Sequence, residues 1–282
     1  MSKLKKRLIV TGAALLIIVL LEIWGYWLKI ENYAVHSEKV TEPVRIVFIS
    51  DLHNCTYGGS DQSEIWEAIQ SAEPDMVLFG GDVIDMFGGY DNALTLMELV
   101  KESYPCAYAA GNHEQMRSDR KEFWEKASAL GIPPLTGTYT ETDIKGSKVR
   151  VYGIEDTLEY GINGTQLENC YDTLDTGCIN ILLNHQPEQM DDITDLAAEY
   201  GRSFDIVLSG HAHGGQWRLP VILEQGLYAP HQGLFPERTN GMYSYGAATL
   251  IISRGLARPM RMIFIPRIFN RPELSVIEIQ PE

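Results

Sequence analysis

Asp205–Gln216 reads DIVLSGHAHGGQ, an apolar run that stops abruptly at His211 and His213 with glycines on either side. Four other segments share that design: RIVFIS runs into Asp51 and His53, MVLFGG into Asp82, CAYAAG into Asn112 and His113, and INILLN into His185. Each run is β-branched or aliphatic, too short for a helix and too apolar for an exposed strand, so each predicts a buried strand. In layered α/β folds the carboxyl ends of strands converge on one rim of the sheet, where ligands bind. Five of the seven histidines fall at such ends, and the rim is therefore expected to be a metal site.

Working outward, strands over 44–50, 76–80 and 106–110 alternate with helical patterns. The first pattern carries Ile65, Trp66 and Ile69 behind a cap at Ser60 or Asp61, the second begins at Asp91 and ends near Tyr104 and Pro105, and the third spans 119–130 ahead of Gly131. Strand, loop and helix repeated in that order imply parallel strands with helical crossovers. From Tyr139 the texture changes to a hairpin around Lys145-Gly146, which suggests a second, more antiparallel sheet. A strand over 179–183, a helix from Pro187 to Glu199, and apolar strands near 246–252, 260–265 and 274–279 complete the pattern. The expected fold class is α/β, with two stacked mixed β-sheets flanked by helices. Asp51 and His53 stand one residue apart, and alternation along an extended segment would put both on the same side.

The first thirty residues differ in kind. Lys3, Lys5, Lys6 and Arg7 precede an apolar run that reaches Leu28 with Glu22 as its one acidic residue. At about 1.5 Å per residue, Leu8 to Leu28 just spans a hydrocarbon core of about 30 Å, and Trp24, Tyr26 and Trp27 fall where an interfacial belt lies. The reading is a transmembrane signal anchor over 1–30, a polar linker over 31–43 and a catalytic domain over 44–282. The leading basic cluster places the N-terminus in the cytoplasm and the catalytic domain outside the membrane. A cleaved signal peptide and a buried core helix are the alternatives. Residues 31–282 hold 18 basic and 37 acidic residues, a net of −19, which argues against a broad nucleic-acid-binding face. Four cysteines, Cys55, Cys106, Cys170 and Cys178, allow three pairings and select none.

Hydrolysing a phosphate ester requires an activated water, neutralised phosphoryl oxygens and a stabilised leaving oxygen, and two divalent ions about 3.5–4 Å apart meet all three demands. Asp51, His53, Asp82, Asn112, His185, His211 and His213 supply a carboxylate able to bridge, with imidazoles and an amide to complete each shell. Mixed N and O donors without sulfur suit Mn or Fe, with Zn also possible, better than Ca. Gln216, His231 and Arg254 are candidates for substrate contact, and Glu114 for orienting its neighbours.

The ordered series D-x-H at 51–53, G-D at 81–82, G-N-H-E at 111–114, the strand-end His185 and G-H-A-H at 210–213 resembles the calcineurin-like metallophosphoesterase superfamily, over residues 44 to about 216. The extension to Gln216, LYAPHQGLF (227–235) and Ser253-Arg254-Gly255 are similar to its bacterial branch of membrane-anchored phosphodiesterases. The resemblance implies a four-layer αββα sandwich. It further implies that Asp51, His53 and His213 bind one metal, that Asn112, His185 and His211 bind a second, and that Asp82 bridges them. His113 would face the substrate, and a metal-bound hydroxide would attack phosphorus in line. The expected substrate is a small-molecule or lipid-linked phosphodiester or pyrophosphate, and the expected protein a single-pass monomer in the cytoplasmic membrane. An amidase built on the same ligands and a non-catalytic metal-binding module are the rival functions.

Overall fold

The computed structural model describes residues 2–157, 161–258 and 267–282, with the side chains at 14, 15, 18 and 21–24 outside the description. The chain begins with helix α1 (Lys3–Gly25), strands β1 (Lys29–Ser37) and β2 (Val44–Ile49), α2 (Ser63–Ser71), β3 (Met76–Gly80), α3 (Asp91–Ser103) and β4 (Cys106–Ala109). Then come the short α4 (Asn112–Met116), α5 (Arg120–Ala129), β5 (Thr138–Ile144), β6 (Ser147–Gly153), α6 (Gly164–Thr173), β7 (Ile179–Leu183) and α7 (Met190–Tyr200). The last elements are β8 (Ile206–Ser209), β9 (Tyr228–Ala229), β10 (Gly233–Leu234), β11 (Gly241–Tyr245), β12 (Ala248–Ile252) and β13 (Glu273–Pro281).

Alternation in the buried strands builds the layers. Ile46 and Phe48 of β2 pack with Ile181 of β7 and Leu208 of β8, whereas Val47 and Ile49 pack with Ile65 and Ile69 of α2 and Met97 of α3. Leu182 and Val207, on the far side of the other sheet, meet Leu167 of α6 and Ile193 of α7. A strand buried on both faces must be apolar throughout, and the result is helix, sheet, sheet, helix. One sheet has the order β1-β13-β2-β3-β4 and the other β11-β12-β8-β7-β6-β5. Strands β2, β3 and β4 run parallel, as do β6, β7, β8 and β12, with antiparallel junctions at β13–β2, β5–β6 and β11–β12. The second sheet is thus mostly parallel and only its edges are antiparallel. Lys145 and Gly146 turn the β5–β6 hairpin with φ of 52° and 79°.

Several expectations need correction. Residues 31–43 are not a linker: β1 pairs in parallel with β13 from Lys29↔Glu273 to Ser37↔Pro281, so the folded unit begins at Lys29. Burial alternates there because β1 is an edge strand, with Tyr33 and Val35 turned to the core and Ile30, Asn32, Ala34 and His36 facing out. Helix α2 starts at Ser63, and its N-cap position is Gln62 in the left-handed region rather than Ser60 or Asp61. The predicted strand 260–265 lies outside the described residues.

The predicted anchor segment is helical from Lys3 to Gly25, but among the described residues no helix is long and apolar enough to cross a membrane. Leu28 lies beyond the helix, and Trp24 among the side chains outside the description. The described aliphatic side chains of α1, Leu8, Ile9, Val10, Leu16 and Ile17 among them, are exposed, so α1 is no core helix. All four cysteines are free thiols.

Candidate metal centre

The strand-end loops carry the site in strained backbone. Asp51, His53, Asp82, His211 and His213 all have φ between 47° and 65°, a conformation that costs a non-glycine residue about 1–3 kcal/mol and persists only where the surroundings over-determine it. Asp51 and His53 therefore converge through a left-handed turn and not through the expected alternation of an extended strand. Three ladder-like bonds hold that turn to its neighbour: Asp51 N–H to Gly81 O at 3.0 Å, His53 N–H to Asp82 O at 2.9 Å, and Asn54 N–H to Val83 O at 2.9 Å. Gly255, at φ 70°, approaches so closely that a Cβ there would sit 2.5 Å from Asp51 Cβ.

The predicted ligands meet at the rim between the two sheets. Asp82 Oδ2 lies 3.2 Å from His185 Nε2, 3.8 Å from His53 Nε2 and 3.9 Å from His113 Nε2. Asp51 Oδ1 lies 3.6 Å from His213 Nε2 and 3.9 Å from His185 Nε2. His211 Nδ1 is 3.0 Å from Asn112 Oδ1, and donor atoms of Asp82, His185 and His211 lie within 4.8 Å of one another. Two ligands about 2.0–2.2 Å from one ion stand roughly 3–4 Å apart, so these separations fit shared cations. Asp51, His53 and His213 form one cluster and Asp82, His185 and His211 another.

Electrostatics support the same reading. Burial depresses His53 and His213 to about 3 and holds His211 well below the usual imidazole range, which keeps these rings neutral as metal ligands must be. Burial also works against protonation of His113 and His185, yet Asp82 lifts His113 to about 9 and His185 well above its ordinary value. So concentrated a negative potential is what a pair of cations would neutralise. His211 Nε2 is buried with no hydrogen-bond partner, a costly state unless another group takes that lone pair or proton. The residues present thus fit a dinuclear centre.

Supporting residues surround the ligands. Glu114 accepts from Asp82 N–H at 2.9 Å, Gly111 N–H at 2.9 Å and Ile84 N–H at 3.0 Å, tying three loop amides to one buried carboxylate. Burial, then repulsion by Asp82, pushes that carboxyl up to about 7. Glu114→Ala orphans all three amides at about 1–3 kcal/mol each, so thermal unfolding of the variant should show a loss of at least about 3 kcal/mol. Its metal affinity should fall roughly 10–100-fold by titration.

Sequence reasoning missed Asp85. Its Oδ1 lies 3.1 Å from His113 Nδ1 and accepts from Met86 N–H at 2.8 Å, which fixes the ring and turns Nε2 toward Asp82. The signal was available in GDVID, whose second Asp follows a predicted ligand by three residues. Arg267 and Asn270 were also missed. Asn270 Nδ2 donates to His213 O at 2.7 Å and Gln216 O at 3.1 Å, and Arg267 Nη2 lies 3.5 Å from His213 Nδ1. Nothing local marks either residue, because each reaches the centre from over fifty positions away.

Of the substrate candidates, His231 stacks obliquely on His211 with ring centres 4.9 Å apart and bonds Gln186 Oε1 at 3.0 Å. Gln216 is buried beside His213 at φ 59°. Arg254 is turned instead to Glu273 and Glu31, at 3.3 and 3.5 Å. Cys55 packs in the apolar layer under α2, and its sulfur accepts from Arg258 N–H at 3.4 Å.

Comparison with known proteins agrees with this geometry. The profile of the calcineurin-like phosphoesterase family matches residues 44–215. The chain is 27% identical to the metallophosphoesterase YkuE of Bacillus subtilis (strain 168) over 84% of its own length and 79% of that protein. It is 26% identical to a metallophosphoesterase of Aquifex aeolicus (strain VF5) over 86% and 90%, and 23% identical to phosphodiesterase YaeI of Escherichia coli (strain K12) over 84% and 82%.

Proposed function

Because the chain belongs to the calcineurin-like phosphoesterase family and is a metal-dependent phosphoesterase, we propose that it hydrolyses phosphodiester or pyrophosphate bonds at the centre around Asp82. The observation that carries this reading is the convergence of carboxylate, imidazole and amide donors from five strand ends on Asp82 and Asp51. Asp51, His53 and His213 would hold one cation, Asn112, His185 and His211 the other, and Asp82 both, with Mn or Fe suiting the donors and Zn also possible. Two divalent ions supply an activated water and neutralise the phosphoryl oxygens. His113 stands ready at Nε2 to meet a phosphoryl or leaving oxygen, held by Asp85. The diester preference draws support from the similarity to a phosphodiesterase.

The exposed apolar helix α1 with its basic leader supports a membrane anchor, with the catalytic residues on the extracytoplasmic face. Substrates reachable there are soluble or lipid-linked phosphate esters.

The test is a panel of aryl phosphate mono- and diesters and an amide with the full chain. Chelation should abolish activity and Mn should restore it, with the diester turned over faster than the monoester. Amide hydrolysis without phosphoester hydrolysis would overturn the assignment.

A further inference from the structure

Between β8 and β13 the chain makes an excursion whose character differs from the rest. Residues 217–271 carry seven arginines against two glutamates in a chain of net charge −15. Within it residues 216–226 close on themselves. Leu227 N–H bonds Gly215 O at 2.9 Å, and a Cβ on Gly215 would lie 2.0 Å from Gln225 O, so both roots of the loop are clamped to the His213 turn. At its tip Leu223 N–H donates to Leu219 O at 2.8 Å, and this tight closure holds Val221 and Ile222 88% and 83% exposed. Val221 has φ 71°, a genuine outlier for a β-branched residue. Strain of this kind, spent to hold aliphatic side chains in water, calls for an apolar phase to receive them.

The loop also stands beside the exit of α1. Trp217 pairs with Ile268, and Arg218 N–H bonds Ile268 O at 2.9 Å. Three residues further on, at most about 11 Å of chain, Arg271 Nε donates to Trp27 O at 2.9 Å and Pro272 O accepts from Lys29 N–H at 2.8 Å. The strap 267–272 thus grips the His213 turn through Asn270 and the foot of α1 through Arg271. Trp27 and Trp217, 59% and 39% exposed, flank it as interfacial aromatics do.

We propose that the loop Leu219–Leu223 is a second membrane contact, its aliphatic tip seated among the acyl chains of the bilayer, which holds the metal centre at the lipid surface. The observation that chooses lipid over a protein partner is continuity with the foot of α1: the exposed apolar tip, with Leu219 and Trp217 beside it 47% and 39% exposed, lies along the strap that holds the end of a helix whose described aliphatic side chains are exposed as well. The inference rests on the anchor reading above.

The test places an environment-sensitive fluorophore at Ile222→Cys in the full chain, reconstituted in phosphatidylcholine–phosphatidylglycerol vesicles, with nitroxide-bearing lipids as quencher. Lys148→Cys, in β6 beside the edge strand β5, is the control, the unsubstituted chain sets the background, and an unchanged rate on a soluble aryl diester reports an intact fold. Flotation reports the anchor and quenching reports the loop. Quenching at 222 several-fold above that at 148 is the expected result. A chain that floats while 222 stays unquenched overturns the loop contact and leaves the anchor, and a chain that neither floats nor is quenched overturns both. Should Ile222→Cys misfold, Leu219→Cys reads the same contact.

Discussion

Asp82→Ala should lose turnover by roughly 10³-fold or more and lose bound metal with it. The Asp82 carboxylate approaches imidazoles of both halves of the site, His53 at 3.8 Å and His185 at 3.2 Å, the latter closer than Asp51 stands to either His213 at 3.6 Å or His185 at 3.9 Å, so its removal opens both shells at once. The variant also leaves His113 N–H, which donates to Asp82 Oδ1 at 2.8 Å, without its buried acceptor. Activity loss alone would therefore not separate a ligand from a structural residue. Metal-dependent stability does. A ligand that binds only the folded state at 100 times its Kd stabilises by about 2.7 kcal/mol per site. The parent should show that increment on adding Mn after chelation, and Asp82→Ala should show little of it. Without metal the variant should itself be less stable, because it loses the attraction to His185 and His113 that, against the cost of burial, holds the Asp82 carboxyl well below the usual range, so the Mn-induced increment and not the starting Tm is the readout. A full Mn-induced rise in Tm for Asp82→Ala would remove Asp82 from both shells.

What was legible in the sequence follows from which interactions are local. Buried strands announce themselves as short apolar runs, so β3 and β7 fall where 76–80 and 179–183 were expected, and the residues just after the runs are the ones that meet at the rim. The reasoning failed where partners are distant. β1 looks like a polar linker because an edge strand needs only one ladder, and that ladder is supplied by β13, over two hundred residues away. The left-handed turns at Asp51 and His53 were invisible for the same reason: propensity disfavours them, and contacts from Gly81, Asp82 and Gly255 impose them. Arg254 stood in a suggestive Ser-Arg-Gly motif, yet its guanidinium is taken by Glu273 and Glu31. The glycine beside it touches the site.

His113→Ala should keep both ions and lose roughly 10²–10³-fold in rate. The prediction is exposed to a specific rival, since His113 shares a 4.8 Å cluster with His53 and Asp82 and so has the reach of a ligand. Its Nδ1 is 3.1 Å from Asp85, and its side chain is 17% exposed where those of His53 and His185 are 1%. That geometry suits a ring facing an incoming phosphate better than one completing a shell. Metal content measured on the purified variant decides: loss of one ion per chain makes His113 a ligand. With both ions retained, the choice of leaving group separates its two remaining tasks. A nitrophenolate leaves without a proton, so a group that protonates the leaving oxygen matters little for that ester and greatly for an alkyl one. A group that steadies the phosphoryl oxygens costs the same for both. Asp85→Asn, which removes the charge fixing Nδ1, should move the two esters in the same pattern as His113→Ala but by less, because the ring remains and only its orientation and charge are lost.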